Sequence, residues 1–336
     1  MPSAIRHAIV IAACLVAPGC GGTDGPNGPD GGSTAPNAPP SLFAPGIAFD
    51  HERDRLVVFG GDGSNGPTAA TWEWSGTAWA RTATTGPSAR VWPSMAYDPD
   101  RRRMVLFGGV NGASILADTW EHDGSAWRQL AVSGPPARYA HEMVYDAARR
   151  RMVLVGGRDA AAPRSDVWEF DGTAWQQVTT TALTPRFALA LTYDVDRART
   201  LAFGGYGPNA AGTLQSLGGT WTRSSADWQE HAGPEPPARD HAAMVYDASR
   251  QRVVLYGGSS SDGARPTQLL DTWEWDGTAW TQRATTGPTP SGNHRLAYDS
   301  RRNRVLLWTS AAQTGDRTEM WTWTGTAWAR LAEFTP

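Results

Sequence analysis

Apolar residues along this chain gather in runs of three or four, most of them closed by a glycine pair. Residues 56–61 read LVVFGG, 104–109 MVLFGG, 152–157 MVLVGG, 200–205 TLAFGG, 253–258 VVLYGG and 305–310 VLLWTS. Runs this short, rich in β-branched and aromatic residues and bounded by turn formers, predict strands, and apolar character at successive positions predicts strands covered on both faces. Each run follows the word Asp-x-x-Arg-x-Arg, whose first residues are Asp50, Asp98, Asp146, Asp194, Asp247 and Asp299, at spacings of 48, 48, 48, 53 and 52. Each run precedes two tryptophans seven residues apart, from Trp72/Trp79 to Trp321/Trp328.

A period near 50 belongs to propeller blades and not to helical repeats. The expected fold is therefore all-β, a six-bladed β-propeller of four-stranded antiparallel blades. In the fifth unit the predicted strands are 242–247, 252–258, 271–276 and 278–282. Asp276-Gly277 reads as a two-residue hairpin turn, which sets Trp273 directly opposite Trp280. The frame opens near Ala44 and ends near Leu331 with no strand left over, so each blade is expected to be complete, with blade 1 packing on blade 6. The Asp-x-x-Arg-x-Arg word joins the first and second strands, where aspartate bonds the turn backbone and arginine reaches a carboxylate. Its presence in all units marks it as scaffold.

The glycine doublet, the following run and the paired tryptophans together resemble the kelch motif, as in bacterial kelch-type and galactose-oxidase-like propellers, over residues 42–331. The resemblance implies a β-propeller. The copper chemistry found in that superfamily needs a cysteine crosslinked to tyrosine, and residues 21–336 contain no cysteine. The aspartate box of sialidase propellers is not matched either, because aspartate and glycine are adjacent here, as in Asp171-Gly172.

Residues 1–20 have the plan of an export signal: Arg6 and His7, an apolar run over 8–17, then small residues before Cys20. The end resembles a lipobox, which implies acylation of Cys20 and attachment to a lipid bilayer; Cys14 is the rival site, and an ordinary signal peptide the alternative. Residues 21–41 (GGTDGPNGPDGGSTAPNAPPS) lack large apolar side chains and read as a disordered tether, leaving 42–336 as the propeller. The expected location is the bacterial cell envelope, exported and membrane-anchored. All 30 basic residues are arginine in a chain of net charge −3, half of them belonging to the repeat, so no basic stripe for nucleic acid remains.

Length varies only between the second and third strands of units 4 and 5, whose loops cover 206–219 and 259–271. Variable loops on a rigid scaffold are where binding groups gather. Tyr206, Asn209, Gln215, Asp262, Arg265 and Gln268 supply stacking and hydrogen-bonding groups there, and the inter-blade connections add Arg90, Arg138, Arg186 and Arg239 on the same rim. These four form either a ring for an anionic ligand or braces that bond the backbone of their own loops. His141, His241 and His294 precede first strands, but the first and third are one register away from the second, so no common ligand set is expected. Residues 61–66 match G-x-G-x-x-G yet precede a β segment, which fails the context a dinucleotide site requires.

The reading that follows is a non-enzymatic, monomeric envelope protein whose rim binds a protein or glycan, without catalytic residues, metal or cofactor. The alternatives are an enzyme acting on an anionic sugar and a structural envelope scaffold.

Overall fold

The computed structural model describes residues 38–82, 85–180, 183–224, 227–261, 266–289, 294–311 and 317–334. Six four-stranded antiparallel sheets follow one another along the chain, each built from consecutive segments in the order first, second, third, fourth strand. Blade 1 uses Gly46–Asp50, Arg55–Phe59, Thr71–Trp74 and Trp79–Arg81, and blade 6 uses Arg295–Asp299, Arg304–Ala311, Arg317–Trp323 and Trp328–Phe334. First strands pack side by side around the ring, and that of blade 1 meets that of blade 6, so the sheets close into a six-bladed propeller. Among the described residues, every blade is built from its own four consecutive strands.

The doubly apolar second strands lie at the interfaces between blades. One core cluster joins Leu201 and Phe203 of blade 4 to Val253, Leu255, Trp275 and Trp280 of blade 5, and burying both faces of a sheet in this way requires the continuous apolar run seen in the sequence.

The Asp-x-x-Arg word ties neighbouring blades together. Asp50 accepts bonds from the backbone of its own turn and from Arg53 Nε at 2.7 Å, and Arg53 continues to Glu73 at 2.8 Å and to the Gly124 carbonyl of blade 2 at 3.2 Å. Arg302 of blade 6 reaches the Ser75 carbonyl of blade 1 at 3.1 Å, which carries the same link across the seam. In five of the six blades the receiving turn contains glycine, whereas blade 4 has Ser224-Ser225 in sequence there. At Gly277 φ is +104°, and a Cβ would sit inside the Arg197 guanidinium.

The tryptophan hairpin differs in register from expectation. Trp275 faces Trp280, Glu274 faces Thr281 and Trp273 faces Gln282, so the turn spans 276–279 and not two residues. Asp276 Oδ1 accepts bonds from Thr278 N, Thr278 Oγ1 and Ala279 N, and this side-chain-built turn outcompetes the two-residue one. The second tryptophan then spans to the preceding blade, with Trp280 Nε1 donating to Thr220 Oγ1 at 2.8 Å.

At the seam, Phe49 replaces the repeat tyrosine. Elsewhere that hydroxyl contacts the preceding blade's turn, as in Tyr145 to Asp100 at 2.6 Å and Tyr246 to Asp196 at 2.5 Å. Blade 1 substitutes the His51 Nδ1 to Ser300 Oγ contact at 2.9 Å, with Arg302 pairing Asp54 at 2.8 Å. Residues before the first strand reinforce it, since Ser310 Oγ donates to the Leu42 carbonyl and Thr318 Oγ1 to that of Pro39.

Candidate functional site

One end of the propeller is built from the connections between blades and the arms that join second to third strands. The two sets zip together through the bridges Phe43 to Asp62, Val91 to Val110, Tyr139 to Arg158, Phe187 to Tyr206 and Asp240 to Ser259. Just inside them runs a collar of backbone hydrogen bonds. Trp92 N donates to the Ala44 carbonyl at 2.8 Å, Ala140 N to Trp92 at 3.4 Å, Ala188 N to Ala140 at 2.8 Å and His241 N to Ala188 at 2.9 Å. These five residues all have φ between +51° and +55°, a left-handed conformation that costs a non-glycine residue about 1 kcal/mol and that the collar holds in place.

The mouth inside this collar has two chemical sides. Phe43, Trp92, Tyr139, Phe187 and Tyr206 form an apolar arc across blades 1 to 4, with the Arg158 guanidinium 5.3 Å from the Phe187 ring centroid. On blade 5 the arc turns polar. Buried Asp240 accepts from Ser216 Oγ at 2.5 Å and from Ser259 Oγ at 2.8 Å, and its Oδ1 lies 2.6 Å from His241 Nδ1. The arms of blades 4 and 5 also touch directly, Ser216 N donating to the Ser261 carbonyl and Ser261 N to Ser216 Oγ. Burial alone would raise the Asp240 carboxyl, but His241 and the two serines hold it below the usual carboxylate range.

The four arginines are not on the rim surface. Arg90, Arg138 and Arg239 are wholly buried and Arg186 nearly so. Arg138 Nε bonds the Pro136 carbonyl of its own loop, its NH1 bonds the Gly156 carbonyl of the next blade at 3.0 Å, and its two terminal nitrogens grip Asp166 at 2.7 Å each. Arg90 grips Asp118 and Arg239 grips Asp271 in the same way. Each of these aspartates also accepts the indole N–H of the tryptophan two residues on. Blade 4 departs from this: Gly219 stands where the aspartate would be, among the described residues Arg186 bonds only neutral oxygens, and burial lowers its guanidinium to about 10 despite Glu230 and Glu235. The arginines are therefore braces between loop and next blade, fixed before any ligand arrives.

Among the loop candidates, Tyr206 is buried, its hydroxyl on the Leu214 carbonyl and its ring edge-on to Phe187. Asn209 shapes its own arm, accepting from Ala211 N and Thr213 N and donating to Gln215. Gln268 is exposed and pairs with Ser259 in the blade 5 arm. Asp262, Arg265 and Cys20 lie outside the described residues. His141 and His294 are buried between blades, Nε2 of His294 lying 2.9 Å from the Tyr256 carbonyl, so of the three histidines only His241 has its ring at the mouth. Among the described residues no group of His, Cys, Asp or Glu is arranged to hold a metal ion.

Beneath the mouth is a channel of about 430 Å³ lined by the first strands of all blades. Its walls are small or apolar side chains, Ala48, Ala96, Val144, Ala190, Ala243 and Ala297 among them. Two charges interrupt them. Glu142 of blade 3 and Arg295 of blade 6 stand three blades apart, facing each other across the bore, with Arg295 NH1 3.8 Å from Glu142 Oε1. Burial pushes the Glu142 carboxyl up, against the opposing pull of Arg295 and His241. Sequence reasoning overlooked this pair, although a signal existed: the residue four before each repeat aspartate is Gly46, Ser94, Glu142, Ala190, Ala243 or Arg295, small in four units and oppositely charged in the two that face each other.

A family model described as the KLHDC2/KLHL20/DRC7 Kelch-repeats domain matches residues 33–205. No curated protein matches the chain. A solved structure titled "Structure of YjhT" superposes with a TM-score of 0.68 at 13% identity, covering 89% of this chain and 100% of that one, a likeness that shows the fold alone. The family model spans half of the 336 residues, and with the repeat and the six-bladed ring it places the chain in the kelch-repeat family.

Proposed function

We propose that this protein is a non-enzymatic binding protein of the bacterial cell envelope, lipid-anchored through Cys20, whose arm-bearing rim captures a protein or glycan. A kelch propeller supports a binding role in general terms. The observation that carries the choice of rim is the contact of the blade 4 and blade 5 arms through Ser216, Ser261 and Asp240, which holds the described parts of the two arms against each other and so favours preorganised binding.

A soluble protein beginning at residue 38, screened on glycan arrays and against envelope extracts, tests this reading. Replacing each arm by the short arm of blade 2 should abolish capture of the selected partner while leaving circular dichroism unchanged. Capture that survives the shortening of both arms refutes the rim assignment. For the anchor, fatty-acid label should vanish in Cys20→Ser and persist in Cys14→Ser.

The Asp240–His241 pair favours a second reading, catalysis on an anionic sugar, because a buried carboxylate on Nδ1 orients an imidazole as a proton acceptor. Turnover of an array glycan, lost in His241→Gln, would replace binding by catalysis.

A further inference from the structure

We propose that Glu142 and Arg295 form a binding site in the channel for a small zwitterion, a molecule carrying an ammonium and a carboxylate on one carbon, of the size of a free amino acid. The site is separate from the rim and does not rest on the reading given to it.

The two charges are the anomaly of this interior. Most other buried ionic groups here are hydrogen-bonded, Arg239 gripping Asp271 at 2.6 and 2.9 Å and even Arg186, which lacks a carboxylate partner, bonding four neutral oxygens. Arg295 and Glu142 sit at 3.8 Å, beyond hydrogen-bonding distance, and among the described residues neither side chain makes a hydrogen bond. Withdrawing two charges from bulk water without hydrogen bonds to replace it is unfavourable unless something else supplies them. Their side chains remain 19% and 27% exposed to the bore, so a molecule inside it can reach both.

The chemistry of the occupant follows from what the pair offers. A guanidinium presents a planar fork of donors that fits a carboxylate, and a carboxylate accepts from an ammonium. A simple anion would meet Glu142 and a simple cation would meet Arg295, so each carries a repulsive contact as well as an attractive one. A molecule with both charges satisfies both groups and leaves the site neutral. The space suits it as well. Gly46, Ala48, Ala96, Ala190 and Ala243 put almost no side-chain volume into the bore, and about 430 Å³ lies near the lower end of the range of ligand cavities.

The test uses the full chain, with thermal shift and titration calorimetry against each free amino acid. Acetate and methylammonium serve as single-charge probes, and galactose as a neutral polyol. At least one amino acid should bind and raise the melting temperature, while acetate and methylammonium at the same concentration should not. Glu142→Gln and Arg295→Gln should each weaken binding at least tenfold with unchanged circular dichroism. Should either fail to fold, Ala48→Leu narrows the bore without touching a charge and should also remove binding. The proposal is overturned if no amino acid binds with a Kd below about 10 mM, or if affinity survives in both charge variants. Galactose binding lost in those variants, with no amino acid bound, would overturn it in favour of a polyol site.

Discussion

Substituting Arg138 by methionine should destabilise the propeller by about 3 to 5 kcal/mol, the range expected when one partner of a buried ion pair is removed. The structure supports a value toward the lower end. Arg138→Met keeps much of the side-chain volume, so the loss is electrostatic: Asp166 is left inside the rim with the Trp168 indole as its remaining side-chain donor and only 16% of its side chain exposed. The Gly156 and Pro136 carbonyls lose a donor too. Blade 4 supplies an internal control. Arg186→Met orphans no carboxylate, because among the described residues Arg186 bonds only the Thr184, Gly204 and Gly218 carbonyls and the Thr184 hydroxyl, and it relieves an unpaired buried cation, so its cost should stay below about 2 kcal/mol. Equilibrium unfolding in urea measures both variants, and a double-mutant cycle with Asp166→Asn isolates the pair. Equal costs for the two arginines would refute the reasoning. A variant of Arg138 that keeps full stability but loses partner binding would restore the anionic-ligand ring.

Acid should weaken the fold from near neutrality downward, with a component assignable to His141. Burial lowers this imidazole to about 3. The unfolded chain thus takes up one more proton than the folded one as pH falls below about 6.5, and stability drops by up to about 1.4 kcal/mol per unit until about pH 3. Unfolding His141→Phe at pH 6.5 and 4.5 should show a pH dependence shallower than that of the parent by roughly 2 to 3 kcal/mol over the interval. Below that window Asp118, Asp166 and Asp271 take over, because their arginines hold them below the usual carboxylate range despite burial, and that stabilisation is lost as the pH falls through their folded values. For the paired tryptophans, Trp280→Ala should cost about 3 to 5 kcal/mol, as expected for a buried ring packed on Phe203 and Trp275, whereas half-buried Trp273→Ala should cost about 1 to 2 kcal/mol by the same urea assay.

The architecture was legible because the blades repeat the same physics: an apolar run that needs cover on both faces, an aspartate that closes a turn and, in five of the six, glycine where an arginine passes. The tryptophan register was misread for a local reason. Asp276-Gly277 has the composition of a two-residue turn, and the threonine after it, which lets the aspartate accept three bonds, decides for four. The arginines were misplaced because a rim loop and the interface beneath it are adjacent in sequence. The aspartate two before the first tryptophan in three of the four units was the missing partner. Glu142 and Arg295 depart from the repeat in charge at constant length, so the unit lengths that mark blades 4 and 5 do not mark them.

The hydrogen-bonded collar at the mouth uses backbone atoms alone. Its side chains are Ala44, Trp92, Ala140, Ala188 and His241, and nothing in the collar's bonding distinguishes an alanine from a tryptophan or a histidine. The same residues thus do two jobs with different atoms: the backbone closes the collar, while the buried side chains of Ala44, Trp92, Ala140 and Ala188 pack in the apolar arc. Of the five, only His241 has a partly exposed side chain, so it is the position that can change without repacking the apolar arc. A substitution at position 241 can therefore change what the opening meets while the collar and the strands behind it stay as they are.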